Sequence, residues 1–228
     1  PDEAAEAWKT IGHDRLMVEK FVDFTREVSL IAVRAADGEV DFYPMAENVH
    51  HNGILRYSIA PAPELSRALE EKADGYIRAL LNELDYVGVL ALELFETAEG
   101  LVANEMAPRV HNSGHWTMEG AMTSQFENHI RAVAGLPLGN TAARGLSCMV
   151  NIIGEHGNLD RILELPYAHL HLYAKADPDA NSATSTCWPT VMRNSSGGFA
   201  TSPSSCPAAR NWTVHSPVDE HPGSRIGG

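Results

Sequence analysis

Two glutamates, and the polar stretch that follows the second, are the residues of this 228-residue chain best placed to do chemistry. Glu93 lies in LALELF and Glu105 in VANEM, each flanked by apolar residues, with the turn-like TAEG (97–100) between the two runs. Two short apolar runs around a tight turn read as an antiparallel hairpin. The glutamates are nearly equidistant from its centre, so they sit opposite each other or one residue out of register. Facing carboxylates on neighbouring strands repel, and partial burial raises that cost. A divalent cation removes the conflict, and oxygen donors of this kind suit Mg²⁺. The plainer alternative leaves one glutamate in solvent and makes the pair accidental. Asn104 points to the face opposite Glu105 unless a bulge turns it.

The stretch NEMAPRVHNSGHWT (104–117) holds one carboxylate, one arginine, two histidines, two asparagines and a serine, with no helical or strand period after Met106. Side chains this polar in a Pro- and Gly-punctuated segment read as a loop that touches a ligand. Other candidates carry less. His169 and His171 alternate on one strand face and could form half of a zinc site, but no third ligand is near in sequence, and packing or a surface role explains them as well. His50 and His51 fall in the polar NVHHNGI, where a solvated loop histidine is the default. Ser113 lacks the strand–turn–helix setting of a hydrolase serine. Neither a dinucleotide-binding glycine fingerprint nor a Walker loop is present.

The elements that must position these residues follow from periodicity. LMVEKFV (16–22) reads as a strand, and REVSLIAVRAADGEVDFYPM as two strands joined at Asp37-Gly38. NVHHNGI (48–54) reads as a polar loop. Residues 64–84 place Leu65, Leu69, Ala73, Ile77, Leu80, Leu81 and Leu84 on one stripe of an amphipathic helix. Ser124 with Glu127 forms a capping box that opens a helix carrying Phe126, Ile130 and Val133, stopped by Gly135 and Pro137. CMVNIIG and AHLHLYA add two strands. The fold class is therefore α+β, with a largely antiparallel sheet and no internal repeat.

Composition bounds the function. A hydrophobic fraction of 44% supports a packed core, and a net charge of −13 disfavours a nucleic-acid partner, which needs a basic face. An anionic small substrate stays open, since local arginines can offset a global field. No apolar run approaches a membrane span and no leader pattern opens the chain, so a soluble cytoplasmic protein without membrane contact is expected, its beginning absent because no initiator Met stands first. Cys148, Cys187 and Cys206 share no metal-ligand spacing, and an odd number provides no disulfide framework. After Lys175 the composition changes: residues 176–228 contain no Leu and no Lys, and an aberrant, disordered tail is expected there.

NEMAPRVHNSGHWT, supported by GILRYSIAP, YVGVLALELF and SQFENHIRAVAGLPLG, resembles the ATP-grasp enzymes. Within them it is similar to the 5-(carboxyamino)imidazole ribonucleotide synthetase family of purine biosynthesis, the ATPase subunit of phosphoribosylaminoimidazole carboxylase. The resemblance covers about residues 16–175. It implies a partial C-terminal ATP-grasp subdomain over 1–140, the start of a small β-rich C-terminal domain over 141–175, and the aberrant tail over 176–228. It implies ATP and Mg²⁺ as cofactors, bicarbonate as co-substrate and aminoimidazole ribonucleotide as the acceptor, and it admits a homodimer.

By the same resemblance, Glu19, Lys20, Phe21 and Val22 form the hinge against adenine, Glu27 takes the ribose hydroxyls and His50 contacts the nucleotide. Glu93 and Glu105 bind Mg²⁺, with Asn104 beside the phosphates. Arg109, His111, Asn112 and Ser113 hold bicarbonate, carboxyphosphate and the ribonucleotide, and Lys175 belongs to a phosphate-binding region. Two departures stand out. The family's N-terminal domain and glycine-rich phosphate loop are expected before residue 1. After Lys175, codons for KADPDANSAT shifted by one base can spell GRPGRKLGHV, the family-like continuation, so a shifted reading frame is expected. Rival expectations are another ATP-grasp carboxylate–amine ligase, such as a biotin carboxylase or a formate-dependent glycinamide ribonucleotide transformylase, and an inactive fragment that binds only metal or nucleotide.

Overall fold

Apolar alternation in REVSLIAVR and GVLALELFET builds the centre of an antiparallel sheet. Strands β1 (Arg26–Arg34) and β5 (Gly88–Thr97) pair from Arg26 opposite Glu96 to Arg34 opposite Gly88. In this computed structural model residues 2–12, 18–153, 158–172 and 184–189 are described. The remaining strands are β2 (Val40–Phe42), β3 (Ala46–His51), β4 (Ile54–Ala60), β6 (Gly100–Ala107), β7 (Ser147–Ile153), β8 (Ala168–Leu172) and β9 (Thr184–Pro189). Their order is β6-β5-β1-β3-β4-β7-β9-β8, with β2 pairing β1, and every pairing is antiparallel.

The two faces of the sheet bury different things. On one, Val28, Leu30, Ala32, Leu90, Leu92 and Leu94 pack against Ala73, Ile77 and Leu81 of helix α2 (Arg67–Glu83). Each Val, Leu or Ile side chain among them contributes roughly 1.5–3 kcal/mol of burial. On the other, Ile31, Val33, Val89, Ala91 and Ala107 meet Trp116 and Ala132, the latter from helix α4 (Gln125–Val133). Along that second face the apolar residues give way to Glu27 and Ser29 on β1, Glu93 on β5 and Glu105 on β6. Their parity places all four on the side of Ile31 and Ala91. The polar patch thus has a hydrophobic floor beside it and α2 behind it.

The hairpin at Asp37-Gly38, helix α2, the hairpin around TAEG and strands β7 and β8 stand where periodicity placed them. The helix starts at Arg67 rather than 64, because Ser66 caps it through the Leu69 N–H and Glu64 holds a positive φ of 52°. Four expectations are corrected. Residues 18–22 form no strand: Val18 and Phe21 are 89% and 84% exposed and no neighbouring strand pairs with them, while 16 and 17 lie outside the described residues. The expected polar loop 48–54 is instead the β3–β4 hairpin, turned by Asn52 and Gly53, both at positive φ. Its polarity reflects what β3 faces, not a loop.

The third correction concerns α4. Ile130 and Val133 are exposed, whereas Gln125, Asn128 and Ala132 are fully buried. Ser124 accepts the Glu127 N–H as expected, but the Glu127 carboxylate turns to Arg131, so only half of the capping box forms. Three helices were not expected: α1 (Asp2–Ile11), α3 (Thr117–Gly120) and α5 (Leu159–Leu163), whose Ile162 packs with Ile152. The fourth correction is β9, which falls within 176–228, where disorder was expected, and joins the sheet between β7 and β8 through backbone pairing. β7 pairs β4, so the sheet continues across the expected boundary at 140/141.

Candidate functional site

The β5–β6 hairpin presents the two glutamates. Thr97 pairs with Gly100 and Leu94 with Ala103, a register that by itself would set Glu93 opposite Asn104. A bulge between Glu93 and Leu94 takes up Asn104 as the extra residue, and Glu93 faces Glu105 directly. Of the two registers left open by the spacing, the structure has the opposed one. The Glu93 side chain is 11% exposed and that of Glu105 58%, so one carboxylate points inward and the other stands at the rim. Burial pushes the Glu93 carboxyl above its ordinary range, His50 opposes the shift, and Glu105 and Glu27 add to it.

His111 reaches between the pair, its Nδ1 3.6 Å from Glu93 Oε1 and its Nε2 3.7 Å from Glu105 Oε1. Burial, then the neighbouring Arg109, lower its pKa. A neutral ring at those distances spaces the carboxylates and does not neutralise them. His111 Nδ1 lies 2.9 Å from Ser113 Oγ, and Asn112 Oδ1 is buried without a hydrogen-bond partner. Across the patch, His50 Nδ1 sits 2.7 Å from Glu27 Oε2, which raises the histidine's pKa against the opposing effect of burial. Glu27, His50, Glu93, Glu105 and His111 therefore form one electrostatically linked group with more acid than base.

This donor set fits a hard cation. Two carboxylates, one of them buried with only His50 opposing the cost of its charge, meet an imidazole that burial keeps neutral. Among the described residues no group of three or more His, Cys, Asp or Glu is arranged to hold a metal ion. A cation at Glu93 and Glu105 would therefore complete its shell from water or from ligand oxygens, the usual habit of Mg²⁺ at phosphate sites.

Other expected residues behave differently. Arg109 is exposed and, among the described residues, donates only to its own neighbour's carbonyl, Val110 O, at 3.1 Å. Glu19, Lys20 and Phe21 are exposed in a segment without regular structure. Lys175 lies outside the described residues. His169 and His171 approach Glu119 at 3.8 and 3.4 Å, a neighbour that spacing could not supply. Sequence reasoning missed Ser29, Asn48, Ser58 and Gln125, all buried. Asn48 Oδ1 accepts the Ser58 hydroxyl at 2.7 Å beside His50, while Ser29 Oγ has no hydrogen-bond partner opposite Glu93. The signal of Ser29 and Ser58 was the interruption of otherwise apolar strands by a small polar residue, whereas Asn48 in a polar strand and Gln125 at the start of a helix carried none.

Known proteins resemble this chain along most of its length. A model of the ATP-grasp domain matches residues 1–126, and one of the phosphoribosylaminoimidazole carboxylase C-terminal domain matches 147–181. The chain is 53% identical over 176 residues to the N5-carboxyaminoimidazole ribonucleotide synthase of Pseudomonas aeruginosa, covering 77% of this chain and 48% of that protein. The enzyme of the same name from Escherichia coli is 48% identical over 159 residues, covering 70% and 44%. The chain thus spans about half the length of the curated relatives it matches.

Among solved structures, the synthetase from Thermus thermophilus superposes with a TM-score of 0.77 at 57% identity, covering 83% of this chain and 52% of the other. The Aspergillus clavatus enzyme in complex with ADP and 5-aminoimidazole ribonucleotide gives 0.76 at 33% identity, covering 83% and 53%. With the ATP-grasp model matching more than half of its length, the chain belongs to the ATP-grasp family, on the branch of the N5-carboxyaminoimidazole ribonucleotide synthases.

Proposed function

We propose that these residues serve the ATP-dependent carboxylation of 5-aminoimidazole ribonucleotide by bicarbonate, through carboxyphosphate, in purine biosynthesis. The observation that carries the reading is the opposed Glu93–Glu105 pair with His111 between its carboxylates. A bicarbonate oxygen attacks the γ-phosphorus of ATP and ADP leaves. The ribonucleotide amine then bonds to the carboxyl carbon, phosphate departs and the amine gives up a proton. Mg²⁺ held by Glu93 and Glu105 would supply positive charge over the phosphates during transfer.

The chain's own residues position the reactants. Glu19, Lys20, Phe21 and Val22 would line adenine, Glu27 with His50 would take the ribose side, and Asn104 would stand beside the phosphates. Arg109 offers a charged fork to carboxylate or phosphate, while His111, Asn112 and Ser113 close on the activated carboxyl group and exclude water. Lys175 is assigned to the substrate phosphate. The net charge of −13 suits small-molecule partners over nucleic acid. Among the described residues no helix is long and apolar enough to cross a membrane. A cytoplasmic setting and a homodimer belong to the same proposal, as does the division into an ATP-grasp part over 1–140 and a C-terminal part from 141.

The test is carboxylation by this chain extended to the length of its relatives, followed as ¹⁴C-bicarbonate incorporation dependent on both ATP and the ribonucleotide. Glu93→Gln should lower that rate at least about 100-fold. It should also abolish Mn²⁺ binding by the chain itself, read from the paramagnetic resonance of free Mn²⁺. Unchanged rate and Mn²⁺ affinity in Glu93→Gln would exclude the assigned metal site.

A further inference from the structure

Gln125 opens α4, yet it is completely buried, an unusual place for a long polar side chain. Its amide is spent on a single residue of the loop. Oε1 accepts the His111 N–H at 3.0 Å, and Nε2 donates to the His111 carbonyl at 2.7 Å. One side chain thus pairs both backbone groups of His111, as a neighbouring strand would.

Two further features are built around it. Thr117 Oγ1 donates to the Gly114 carbonyl at 2.7 Å and accepts the Gln125 N–H at 2.9 Å. A Cβ on Gly114 would stand 2.5 Å from Gln125 Oε1, so that glycine leaves room for the amide. On the far side of the clamp, the His111 ring lies between Glu93 and Glu105.

From this geometry we infer that Gln125 is a positioning residue: its amide clamps the His111 backbone and so sets the imidazole between the two carboxylates. No irregular loop holds a side chain in such a slot through its own torsions. The clamp replaces the ladder that ends with β6 at Ala107 and transmits the rigidity of α4 to the residues that face substrate. Its catalytic weight rests on the function proposed above, whereas the clamp itself can be read without turnover.

The experiment uses the full chain and amide hydrogen exchange, expressed as protection factors. Gln125→Met removes both bonds, and protection of the His111 amide should fall about tenfold or more, with α2 and β1 unaffected. Retained protection would overturn the clamp. Gln125→Glu guards against a variant that fails to fold. Its protonated carboxyl can donate to the His111 carbonyl and accept its N–H, but the ionised form is acceptor-only.

Burial raises the pKa of a carboxyl placed there. Protection in Gln125→Glu should therefore match wild type at pH 5 and be lost by pH 8, relative to the native chain measured at the same two pH values, which carries any step due to His50 or Glu93. His115, whose pKa is lowered to about 4, lies near this position with its ring 5.3 Å from that of Phe126, and it stays neutral across the window. Equal protection at both pH values would overturn the inference. Mn²⁺ binding separates the two claims. Gln125→Met should weaken it about tenfold if the clamp tunes the site, whereas retention of Mn²⁺ by Glu93→Gln removes the metal reading and leaves the clamp to be judged by exchange.

Discussion

Arg109 shows at the residue scale how composition and geometry divide the work. Its side chain is exposed and, among the described residues, bonds only the adjacent carbonyl, so it contributes little to folding. A guanidinium that spends one donor on a neighbouring carbonyl keeps the rest of its fork for a ligand, and lysine cannot reproduce that fork. In the chain extended to its relatives' length, Arg109→Lys should lower kcat/KM at least tenfold while stability changes by less than about 0.5 kcal/mol. Steady-state carboxylation and thermal denaturation check the two halves, and wild-type turnover in the variant would end the assignment. The residues of this loop were legible because their types are unusual together. What they bond to was not, since Gln125 of α4 and the glutamates of β5 and β6 meet His111 only through folding.

At the scale of elements, α4 shows where periodicity misleads. Phe126, Ile130 and Val133 suggest an inward apolar stripe, but the helix turns Gln125 and Asn128 to the interior. Asn128 Nδ2 donates to Tyr43 Oη at 2.8 Å and to the Gly139 carbonyl at 3.0 Å, and Oδ1 accepts the Gly139 N–H at 2.7 Å. A satisfied buried amide specifies one docking geometry, and removing it leaves the Gly139 N–H and carbonyl unpaired, while Tyr43 Oη keeps its bond to the Thr123 carbonyl. Asn128→Leu should therefore cost about 2–3 kcal/mol, whereas Ile130→Gln should stay within about 0.5 kcal/mol. Urea denaturation measures both, and the opposite ranking would mean that the helix packs by its apolar side. The β5–β6 hairpin makes the complementary point. Its existence was legible from TAEG, while the bulge at Asn104 that opposes the glutamates was one of two registers the spacing allowed.

For the whole molecule, pH reports on how burial is distributed. His115 is held neutral by burial, with His111 and His171 adding to the effect, and its pKa drops from 6.5 to about 4. A depressed folded-state value means that the group's contribution to stability is present above the ordinary histidine range. It is lost as pH falls from about 6.5 toward 4, by roughly 3 kcal/mol at most. His115→Gln should flatten that part of the pH–stability curve, as urea midpoints at pH 7 and 4.5 would show. Parallel curves for the two proteins would place the acid sensitivity elsewhere.

The sequence by itself determined what depends on neighbours along the chain: α2 from its apolar stripe, the turns at Asp37-Gly38 and TAEG, the acidic balance, and the loop whose residue order carries the family resemblance. Tertiary structure alone decided which polar residues share the second face of the sheet. It pairs Glu27 with His50, opposes Glu93 to Glu105, turns Gln125 inward to His111, and seats β9 between β7 and β8. The reason is physical. A buried polar group is costly unless a partner meets it, and that partner is brought by sheet order and helix docking, which no local period encodes.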